Sequence, residues 1–421
     1  MTFSIPDFLA SLIERPVAVL GGGVSGQGAA ELLEAIGADS VIYDETGGAA
    51  KNFSLTEARE HKLVVFSPGF IPAHPWLATA RAVGCVCLSE LDFGWLFWRG
   101  PVLAITGTNG KTTLTEFLTQ ALKDAGRAAV AVGNIGFPLT RAAARFSGAD
   151  ITAVCEVSSF QSERLEHFRA NATIWTNLAE DHLERHAGME GYFLAKWRLV
   201  ERTTPGAVFA GSSVQFFANK FGKELPNTAS VPSEEQPEDV HLKGTIFAQY
   251  PQRENFILAA TWWRFAGFTR ESLYQTAKSF KLGRHRLSRV GERRGVVFWN
   301  DSKATNFHAV EAALTTFSSP VLWVGGGKAK GGDIESFVQR IASKVRHAFL
   351  IGDTKDILAK CFAAARVPFT LCATLSEAVH QAFFHAKAGD HILLSPGFAS
   401  FGLFRNYEDR GNQFETIVNN L

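Results

Sequence analysis

The chain has 421 residues, of which 46% are hydrophobic and 20% charged, and its net charge is +1. This length favours two to four domains, and the composition is that of a globular protein with sizeable cores. A nearly neutral chain is not expected to bind nucleic acid or a membrane surface, since both attract an excess of Lys and Arg. No apolar run approaches the roughly 20 residues that span a bilayer.

The N-terminus and the cysteines both favour a cytoplasmic protein. Asp7 and Glu14 interrupt the first residues, which lack the basic start of a secretory signal. The five cysteines are irregularly spaced and resemble neither a disulfide nor a zinc framework. We therefore expect them to be buried, reduced thiols.

The first hundred residues alternate short apolar runs with helical patterns. Apolar runs at 17–20, 41–43 and 63–66 are each followed by a turn. This alternation predicts a parallel sheet covered by helices. The sequence Arg99-Gly100-Pro101 marks the predicted end of this segment.

Two further segments repeat the alternation of apolar runs and helical patterns. Their apolar runs lie at 102–106, 128–132, 151–157 and 173–176, and then at 296–299, 321–324, 347–351 and 391–394. A polar, proline-containing stretch at 223–240 is predicted to be a surface excursion. The chain is thus predicted to be an α/β protein of three domains, 1–100, 101–282 and 283–421.

A glycine-rich turn follows the first apolar run. Gly21, Gly23 and Gly26 fit G-x-G-x-x-G, and Asp44 ends the next strand at the spacing of dinucleotide-binding folds. Such a turn brings backbone N–H groups and a helix N-terminus to a diphosphate. By this motif alone, NAD binding and a ligand-free turn both stay open. The segment is short for a complete nicotinamide fold.

A second glycine-rich turn, residues 106–113 (TGTNGKTT), is a shortened relative of the pattern G-x-x-x-x-G-K-[ST]. Gly107 and Gly110 allow backbone N–H groups to surround a phosphate, Lys111 neutralises the γ-phosphate, and the Thr112 hydroxyl can bind Mg²⁺. The predicted ATP-binding residues of this turn are Gly107, Thr108, Asn109, Gly110, Lys111, Thr112 and Thr113.

This second turn resembles the ATP loop of the Mur ligase family, which also includes folylpolyglutamate synthetase. Further motifs of that family follow in order along the whole chain. They are 133–136 (GNIG), 156–161 (EVSSFQ), 177–182 (NLAEDH), 192–196 (YFLAK), 285–286 (HR), 301–306 (DSKATN) and 395–400 (SPGFAS). The resemblance implies a Rossmann-like N-terminal domain for a UDP-linked substrate, a central P-loop-type ATPase domain and a Rossmann-like C-terminal domain. It also implies an ATP-dependent ligase that activates a carboxylate as an acyl phosphate for attack by an amine.

The resemblance assigns metal ligands and catalytic residues. Thr112, Glu156 and His182 resemble ligands of two Mg²⁺ ions. Lys196 matches a lysine that this family carbamylates with CO₂, which turns a cation into an anion able to bridge to metal. Without the resemblance, Glu156 and His182 would be taken as surface or structural residues and Lys196 as a solvated lysine. The implied catalytic residues are Lys111, Glu156, His182, Lys196 and Lys303.

Three more ATP contacts are implied by resemblance. Asn255 matches an adenine contact, Arg286 would face phosphate, and Asp301 would face the ribose. Gln252 stands where the family usually has the first Asn of this adenine-binding stretch.

The resemblance gives the first glycine-rich turn a uridine diphosphate in place of a dinucleotide. EVSSFQ, DSKATN and residues 404–414 (FRNYEDRGNQF) look most like the family member that adds D-glutamate to UDP-N-acetylmuramoyl-L-alanine. The implied contacts of the UDP substrate are Gly23, Val24, Ser25, Gly26, Asp44, Ser67, Asn134, Ser158 and His182.

The incoming amino acid needs cations and hydroxyls for its carboxylates. The candidates are Lys303, Thr305, Lys330, Ser400 and Tyr407. Lys328 is an alternative to Lys330, and the basic loop that holds both could also be without a ligand. Gly402 stands where the family usually has an Asp.

Other functions stay open at this point. One is another Mur- or folylpolyglutamate-type amino-acid ligase, and a second is a catalytically silent nucleotide-binding regulator. A dehydrogenase is a more distant alternative. The resemblance implies a cytoplasmic monomer whose partners are its two small substrates. The net charge and the lack of a long apolar run predict neither nucleic-acid binding nor membrane insertion.

Overall fold

The structure is a computed structural model that describes residues 3–47, 50–146, 150–225 and 239–421. Three sheets with helices on their faces account for the described strands, which confirms the predicted α/β class. Most of the predicted excursion at 223–240 lies outside the described residues.

The first sheet has four parallel strands. The elements around it are α1 (Asp7–Ala10), β1 (Val17–Leu20), α2 (Val24–Ala35), β2 (Ser40–Tyr43), α3 (Leu55–Arg59), β3 (Leu63–Phe66), α4 (Pro75–Ala82), β4 (Val86–Ser89) and α5 (Glu90–Phe97). The strand order is β2-β1-β3-β4. Strands β1 and β3 are buried along their whole length, as expected for parallel strands with both faces covered.

The second sheet has five parallel strands in the order β6-β7-β5-β8-β9. Its elements are β5 (Val102–Thr106), α6 (Lys111–Asp124), β6 (Ala129–Gly133), α7 (Leu139–Arg145), β7 (Thr152–Glu156), α8 (Ser159–Ser162), β8 (Ala172–Trp175), α9 (Leu183–His186), α10 (Met189–Glu201), β9 (Val208–Ala210), α11 (Ser212–Lys220), α12 (Gln252–Phe265) and α13 (Arg270–Ser279). Because β7 and β8 flank β5, the residues that follow these three strands meet at one edge of the sheet.

The third sheet has six strands in the order β10-β11-β15-β12-β13-β14, of which only β10 is antiparallel to its neighbour. Its elements are β10 (Ser288–Arg293), β11 (Val296–Asn300), α14 (Phe307–Leu314), β12 (Val321–Gly326), α15 (Ile334–Ile341), β13 (Val345–Ile351), α16 (Lys355–Ala364), β14 (Phe369–Leu371), α17 (Leu375–His385), β15 (His391–Leu394) and α18 (Tyr407–Asn419).

The chain divides into two compact units. One contains Met1–Leu178 and Glu190–Phe280, and the other Ala179–Met189 and Lys281–Leu421. One hydrophobic core joins the first two sheets, with Leu32 and Phe93 packed in the same cluster as Val102. The first two sheets therefore form one unit, while the division into three domains stays a prediction.

Within the described ranges, no helix combines the length and the apolar composition that crossing a membrane requires.

Candidate active site

The loop 107–110 joins β5 to α6 at the carboxyl edge of the second sheet. Gly107 has a φ of +148° and Gly110 a φ of +81°, conformations that favour glycine. A Cβ on Gly107 would lie 1.9 Å from Oγ1 of Thr176, and one on Gly110 would lie 2.6 Å from Nδ2 of Asn255. Both positions therefore require glycine, and the loop backbone leads directly into a helix N-terminus of the kind that binds phosphate.

Thr176 and Asn177, which follow β8, hold this loop in place. Oγ1 of Thr176 and Nδ2 of Asn177 both donate to the carbonyl of Asn109, at 2.6 and 3.1 Å. Oδ1 of Asn177 accepts from the N–H of Asn109 at 2.9 Å. We assigned neither residue a role from the sequence, although Asn177 begins one of the quoted motifs.

Lys111 and Lys196 approach the same carbonyl oxygen. Nζ of Lys111 donates to Gly107 O at 2.9 Å and to Thr108 O at 2.8 Å. Nζ of Lys196 donates to Gly107 O at 2.9 Å and lies 4.9 Å from the ring centre of Tyr192. Lys196 is 1% exposed, so its amine, carried by α10, is deeply buried beside the loop 107–110. The expectation of a solvated lysine from the bare sequence is therefore wrong.

Glu156 ends β7 beside this loop and is buried. Its Oε1 accepts a hydrogen bond from Nδ2 of Asn134 at 2.7 Å. Its Oε2 is buried and has no hydrogen-bond partner among the described residues. A buried carboxylate oxygen without a donor is costly unless a cation compensates it. Glu156 therefore fits a Mg²⁺ ion, which prefers carboxylate, hydroxyl and phosphate oxygens.

The other residues predicted to bind Mg²⁺ are divided between the two compact units. Thr112 is buried in the first turn of α6, in the same unit as Glu156. His182 precedes α9 with a φ of +54° and belongs to the other unit. No group of three or more His, Cys, Asp or Glu is arranged to hold a metal in the part of the chain that the structure describes.

Asn255, the predicted adenine contact, is buried in the first turn of α12 and lies against Gly110. Its Nδ2 donates to Oε1 of Gln252 at 3.0 Å. Gln252 therefore keeps a carboxamide near this position and orients the side chain of Asn255.

Gly21, Asp44 and Ser67 follow β1, β2 and β3 at one edge of the first sheet. Oδ2 of Asp44 accepts from Gly22 N at 2.5 Å, and Oδ1 accepts from Oγ1 and N of Thr46. These bonds lower the pKa of Asp44 to about 2, the Thr46 hydroxyl having the largest effect and Gly22 the next. Oγ of Ser67 is buried beside Gly21 and has no hydrogen-bond partner within the described residues. This edge therefore offers a hydroxyl to a ligand.

The N-terminus of α2 lies at the same edge. Gly23 is its N-cap, Val24 and Ser25 are in its first turn, and no described side chain caps it. A Cβ on Gly26 would lie 1.7 Å from the carbonyl oxygen of Gly21, so only glycine allows the backbone at these two positions to approach so closely. The first N–H groups of α2 are thus suited to an anion.

Ser158 has a structural role in addition to its predicted contact with the UDP substrate. It is the N-cap of α8 and forms a capping box with Gln161, whose N–H donates to Oγ of Ser158 at 3.3 Å.

Three loops follow the neighbouring parallel strands β11, β15 and β12 at one edge of the third sheet. They comprise residues 301–306, 395–400 and 327–332. A cavity at this edge is lined by Thr305 and Lys330, two of the predicted amino-acid-binding residues.

The same cavity is lined by Asp181 and Asn306, to which we gave no role from the sequence. Nζ of Lys330 lies 2.8 Å from Oδ1 of Asp181. Lys328, the alternative to Lys330, is exposed, and its backbone pairs with Ala399 in an antiparallel bridge. The geometry therefore favours Lys330.

Lys303 and Tyr407 contact each other. Nζ of Lys303 donates to the Tyr407 hydroxyl at 3.1 Å and lies 4.7 Å from the centre of its ring. Ser400 is buried at the end of its loop, and neither it nor this pair is among the residues that line the cavity. Gly402 has a φ of +100°, a conformation that an Asp at this position would adopt only with strain.

Asp301, predicted to face the ribose, is buried and connects two of the three loops. Its Oδ2 accepts from Oγ of Ser395 at 2.8 Å, and its Oδ1 accepts from N of Leu287 at 3.1 Å. Burial raises the pKa of Asp301 to about 7, opposed by these bonds and by the charges of Arg286 and Arg410. Arg286, the predicted phosphate contact, is thus close enough to influence this carboxyl.

Arg410 of α18 is a structural residue that we did not identify from the sequence. Its guanidinium is fully buried and donates to Ser302 Oγ at 3.0 Å, to Ser302 O at 2.7 Å and to Phe398 O at 3.2 Å. Burial lowers the pKa of Arg410 to about 9, and the charge of Asp301 opposes this. Arg410 therefore fastens the loops 301–306 and 395–400 to each other.

Comparisons with known proteins identify the family of this chain. The family model described as Mur ligase middle domain matches residues 105–266, and the model described as Mur ligase, glutamate ligase domain matches residues 285–398. The chain belongs to the Mur ligase family. The family resemblance of the motifs is thereby confirmed.

Several relatives in this family are similar over nearly the whole chain. One from Caldanaerobacter subterraneus subsp. tengcongensis is 32% identical, with 97% of this chain and 99% of the relative covered. One from Nitratidesulfovibrio vulgaris is 33% identical, with 96% of each covered. Both are named UDP-N-acetylmuramoylalanine--D-glutamate ligase.

Solved structures of other Mur ligases share the fold. UDP-N-acetylmuramate-alanine ligase MurC from Thermotoga maritima is 13% identical with a TM-score of 0.62, covering 96% of this chain and 99% of that one. MurF from Acinetobacter baumannii is 16% identical with a TM-score of 0.61, covering 93% and 98%. These likenesses support the three-domain Mur architecture.

Proposed function

We propose that this Mur ligase adds D-glutamate to UDP-N-acetylmuramoyl-L-alanine and cleaves ATP to ADP and phosphate. The observation that carries the proposal is the identity of 32–33%, over 96–97% of the chain, to relatives named for that reaction. The edges of the three sheets supply suitable chemistry for a nucleotide-linked substrate, for ATP and for an amino acid.

ATP is needed because a free carboxylate is a poor electrophile. Transfer of the γ-phosphoryl group to the carboxylate creates an acyl phosphate, and attack by the amine then expels phosphate. Two anions must meet in the first step, so cationic groups are required near the transferred phosphoryl group. Lys111, at the start of α6, supplies one such charge beside Gly107 and Gly110.

Two Mg²⁺ ions complete the proposed ATP site. Magnesium would neutralise the phosphates and polarise the transferred group. Glu156 and Thr112 would hold one ion, His182 is the proposed ligand of the other, and a carbamate on Lys196 would be a further metal ligand. The buried Oε2 of Glu156 supports this assignment. Asn134 holds the other oxygen of Glu156 and so fixes the orientation of the carboxylate.

The UDP group is proposed to bind at the carboxyl edge of the first sheet. The N-terminus of α2, from Gly23 to Gly26, would take the diphosphate, with Ser67 beside it. Asp44 would contact the uracil or neighbouring groups through lone pairs that its bonds to Gly22 and Thr46 leave available. The remaining contacts of this substrate are proposed to be Asn134, Ser158 and His182.

The amino acid is proposed to bind at the edge of the third sheet. Lys330 and Thr305 line the cavity there and would hold a carboxylate. Lys303, Ser400 and Tyr407 would complete the binding site. Asn255, Arg286 and Asp301 are proposed to contact the adenine, phosphate and ribose of ATP.

The decisive experiment is a coupled assay of ADP release with UDP-N-acetylmuramoyl-L-alanine, Mg²⁺, ATP and each enantiomer of glutamate. We expect release that depends on D-glutamate and is absent with L-glutamate. Equal release with lysine or diaminopimelate would favour another ligase of the family, and no release with any amino acid would favour a silent nucleotide-binding protein. We place the enzyme in the cytoplasm, where ATP is available, and expect sedimentation of a monomer.

A thermal-shift titration tests the first glycine-rich turn separately. UDP-N-acetylmuramoyl-L-alanine should raise the unfolding temperature, and NAD should not. An equal shift with NAD would contradict the assignment of this turn to a UDP-linked substrate.

A further inference from the structure

Asp181 and Lys330 form an ion pair at the wall of the cavity described above. Oδ1 of Asp181 lies 2.8 Å from Nζ of Lys330, and the two side chains are only 10% and 17% exposed. Oδ2 of Asp181 accepts a hydrogen bond from Nδ2 of Asn306 at 3.3 Å. His182 also lies near this carboxylate, with its Nε2 3.7 Å from Oδ1 of Asp181. The carboxylate is therefore held by donors from two loops of the third sheet.

The ion pair restricts which ligands can enter the cavity. If a simple carboxylate took Lys330, Asp181 would lose its cation while still mostly buried, and an uncompensated buried charge is costly. A ligand that carries both a carboxylate and an ammonium group avoids this cost. Its carboxylate can replace Asp181 at Lys330, and its ammonium can replace Lys330 at Asp181.

We infer that Asp181 binds the α-ammonium group of the incoming amino acid and thereby selects amino acids over dicarboxylates that lack an amine. The inference rests on the proposed function, because it takes glutamate as the ligand of this cavity. Asp181 would bind the amino acid before the reaction begins, while the α-nitrogen of the amino acid is still protonated. Exchange of partners within the Asp181–Lys330 pair compensates the α-ammonium and one carboxylate of glutamate, and the second carboxylate is left to the other predicted amino-acid-binding residues.

Two simpler roles make different predictions. If Asp181 only fastens the segment 179–189 to the loop of Lys330, its loss should weaken the binding of every ligand of the cavity alike. If Asp181 is only a placeholder that the substrate carboxylate must displace, its loss should tighten the binding of every carboxylate. An ammonium-binding role separates ligands by the presence of the amine.

The test compares D-glutamate with glutarate, which has the same two carboxylates and no amine. The KM for D-glutamate and the inhibition constant for glutarate are measured in the full-length wild type and in Asp181→Asn, with ATP, Mg²⁺ and the UDP substrate. We expect the KM to rise roughly 30-fold, as when one partner of a buried charge pair is removed. The glutarate constant should stay within about threefold or fall, since glutarate makes no use of Asp181.

Glu190→Gln is the matched control, because it removes an exposed negative charge nearby in the chain and should leave both constants unchanged. Equal weakening of both ligands in Asp181→Asn, or tighter binding of D-glutamate, would overturn the inference. If this variant does not fold, the wild type alone still tests the inference. If Asp181 binds the ammonium group, glutarate must bind the wild type at least about tenfold more weakly than D-glutamate does. Absence of D-glutamate-dependent ADP release in the wild type would instead count against the proposed function.

Discussion

Lys111 and Lys196 donate to one carbonyl oxygen, that of Gly107, and each Nζ lies 2.9 Å from it. Two ammonium groups so close together repel each other, and the repulsion is strongest where water is excluded. Conversion of the Lys196 amine into a carbamate would replace this repulsion with attraction. The arrangement therefore gives a physical reason for the proposed modification.

The carbamate on Lys196 can be detected directly. We expect the wild type in ¹³C-bicarbonate with Mg²⁺ and ATP to show a carbamate carbon signal that Lys196→Ala lacks. The variant should lose activity by about 100-fold, at the upper end of the losses that follow changes around a metal site. Lys123→Ala, which changes an exposed lysine of α6, should keep both the signal and the activity. A free amine at Lys196 under these conditions would contradict the proposal.

Removal of the charge on Glu156 should weaken the binding of Mg²⁺. Glu156→Gln keeps an oxygen that can accept from Asn134 but cannot compensate a cation as a carboxylate does. We expect the Mg²⁺ concentration for half-maximal activity to rise by about tenfold or more, as for other changes at metal sites. The measurement is a Mg²⁺ titration of ADP release, with Glu201→Gln as the exposed control. An unchanged Mg²⁺ requirement would remove Glu156 from the metal site.

A methyl group on Gly107 should weaken the binding of ATP. The Cβ would collide with Oγ1 of Thr176, and the φ of +148° is unfavourable for alanine. We expect Gly107→Ala to lower ATP affinity by roughly 100-fold in a binding titration. Gly126→Ala has open space and a φ of +74°, so it should cost about 1 kcal/mol of stability without changing ATP affinity. Equal ATP affinity in the two variants would show that the loop conformation is not required.

Lys330 and Lys328 can be separated by the same substitution at each position. Lys330→Met removes the charge that lines the cavity and should raise the KM for D-glutamate about 100-fold, since truncation of a buried charge partner is expensive. Lys328→Met changes an exposed side chain and should leave the KM within about threefold. The reverse order would move the carboxylate contact to Lys328.

Asp301 should make stability depend on pH. Because burial raises its pKa from 3.8 to about 7, the folded protein holds this proton more tightly than the unfolded chain. The contribution of Asp301 to the free energy of unfolding is fully present below about pH 4 and is lost as the pH rises through about 7. The largest possible contribution is about 4 kcal/mol. The loss therefore falls between these two pH values.

Asp301→Asn keeps the oxygen that accepts from Leu287 and can donate to the hydroxyl of Ser395. The wild type should lose stability between pH 5 and pH 8, whereas the neutral amide of the variant has no proton to lose. The unfolding temperature of the variant minus that of the wild type should therefore increase by roughly 5 °C over this pH range. A difference that does not change with pH would show that Asp301 is not held protonated.

The sequence predicts the α/β class and the strands that carry the sites because parallel strands are short apolar runs followed by turns. Gly107, Lys111 and Glu156 could be placed at the ends of such strands before the structure was known. Deep burial could not be predicted for Lys196, because its position depends on how α10 packs against the glycine-rich loop.

Long-range contacts explain what the sequence did not reveal. Arg410 binds Ser302 and Phe398 across large separations in the chain, and its own helix is otherwise an ordinary amphipathic pattern. Asp181 lies in a recognised motif, but its partner Lys330 is about 150 positions away. A pairing of this kind cannot be predicted from periodicity or from spacing in the sequence.

The assignment of Ala179–Met189 to the same compact unit as Lys281–Leu421 limits how this enzyme can be dissected. A fragment that starts at residue 281 would contain the third sheet but would lack the strip of chain that carries Asp181. Lys330 would then have lost its natural counter-ion, and the pocket beside it would be missing one wall. If halves of this chain are exchanged with those of another ligase at a single junction between residues 189 and 281, Asp181 and Lys330 will therefore come from different parents, and the cavity that they line will combine residues that did not evolve together.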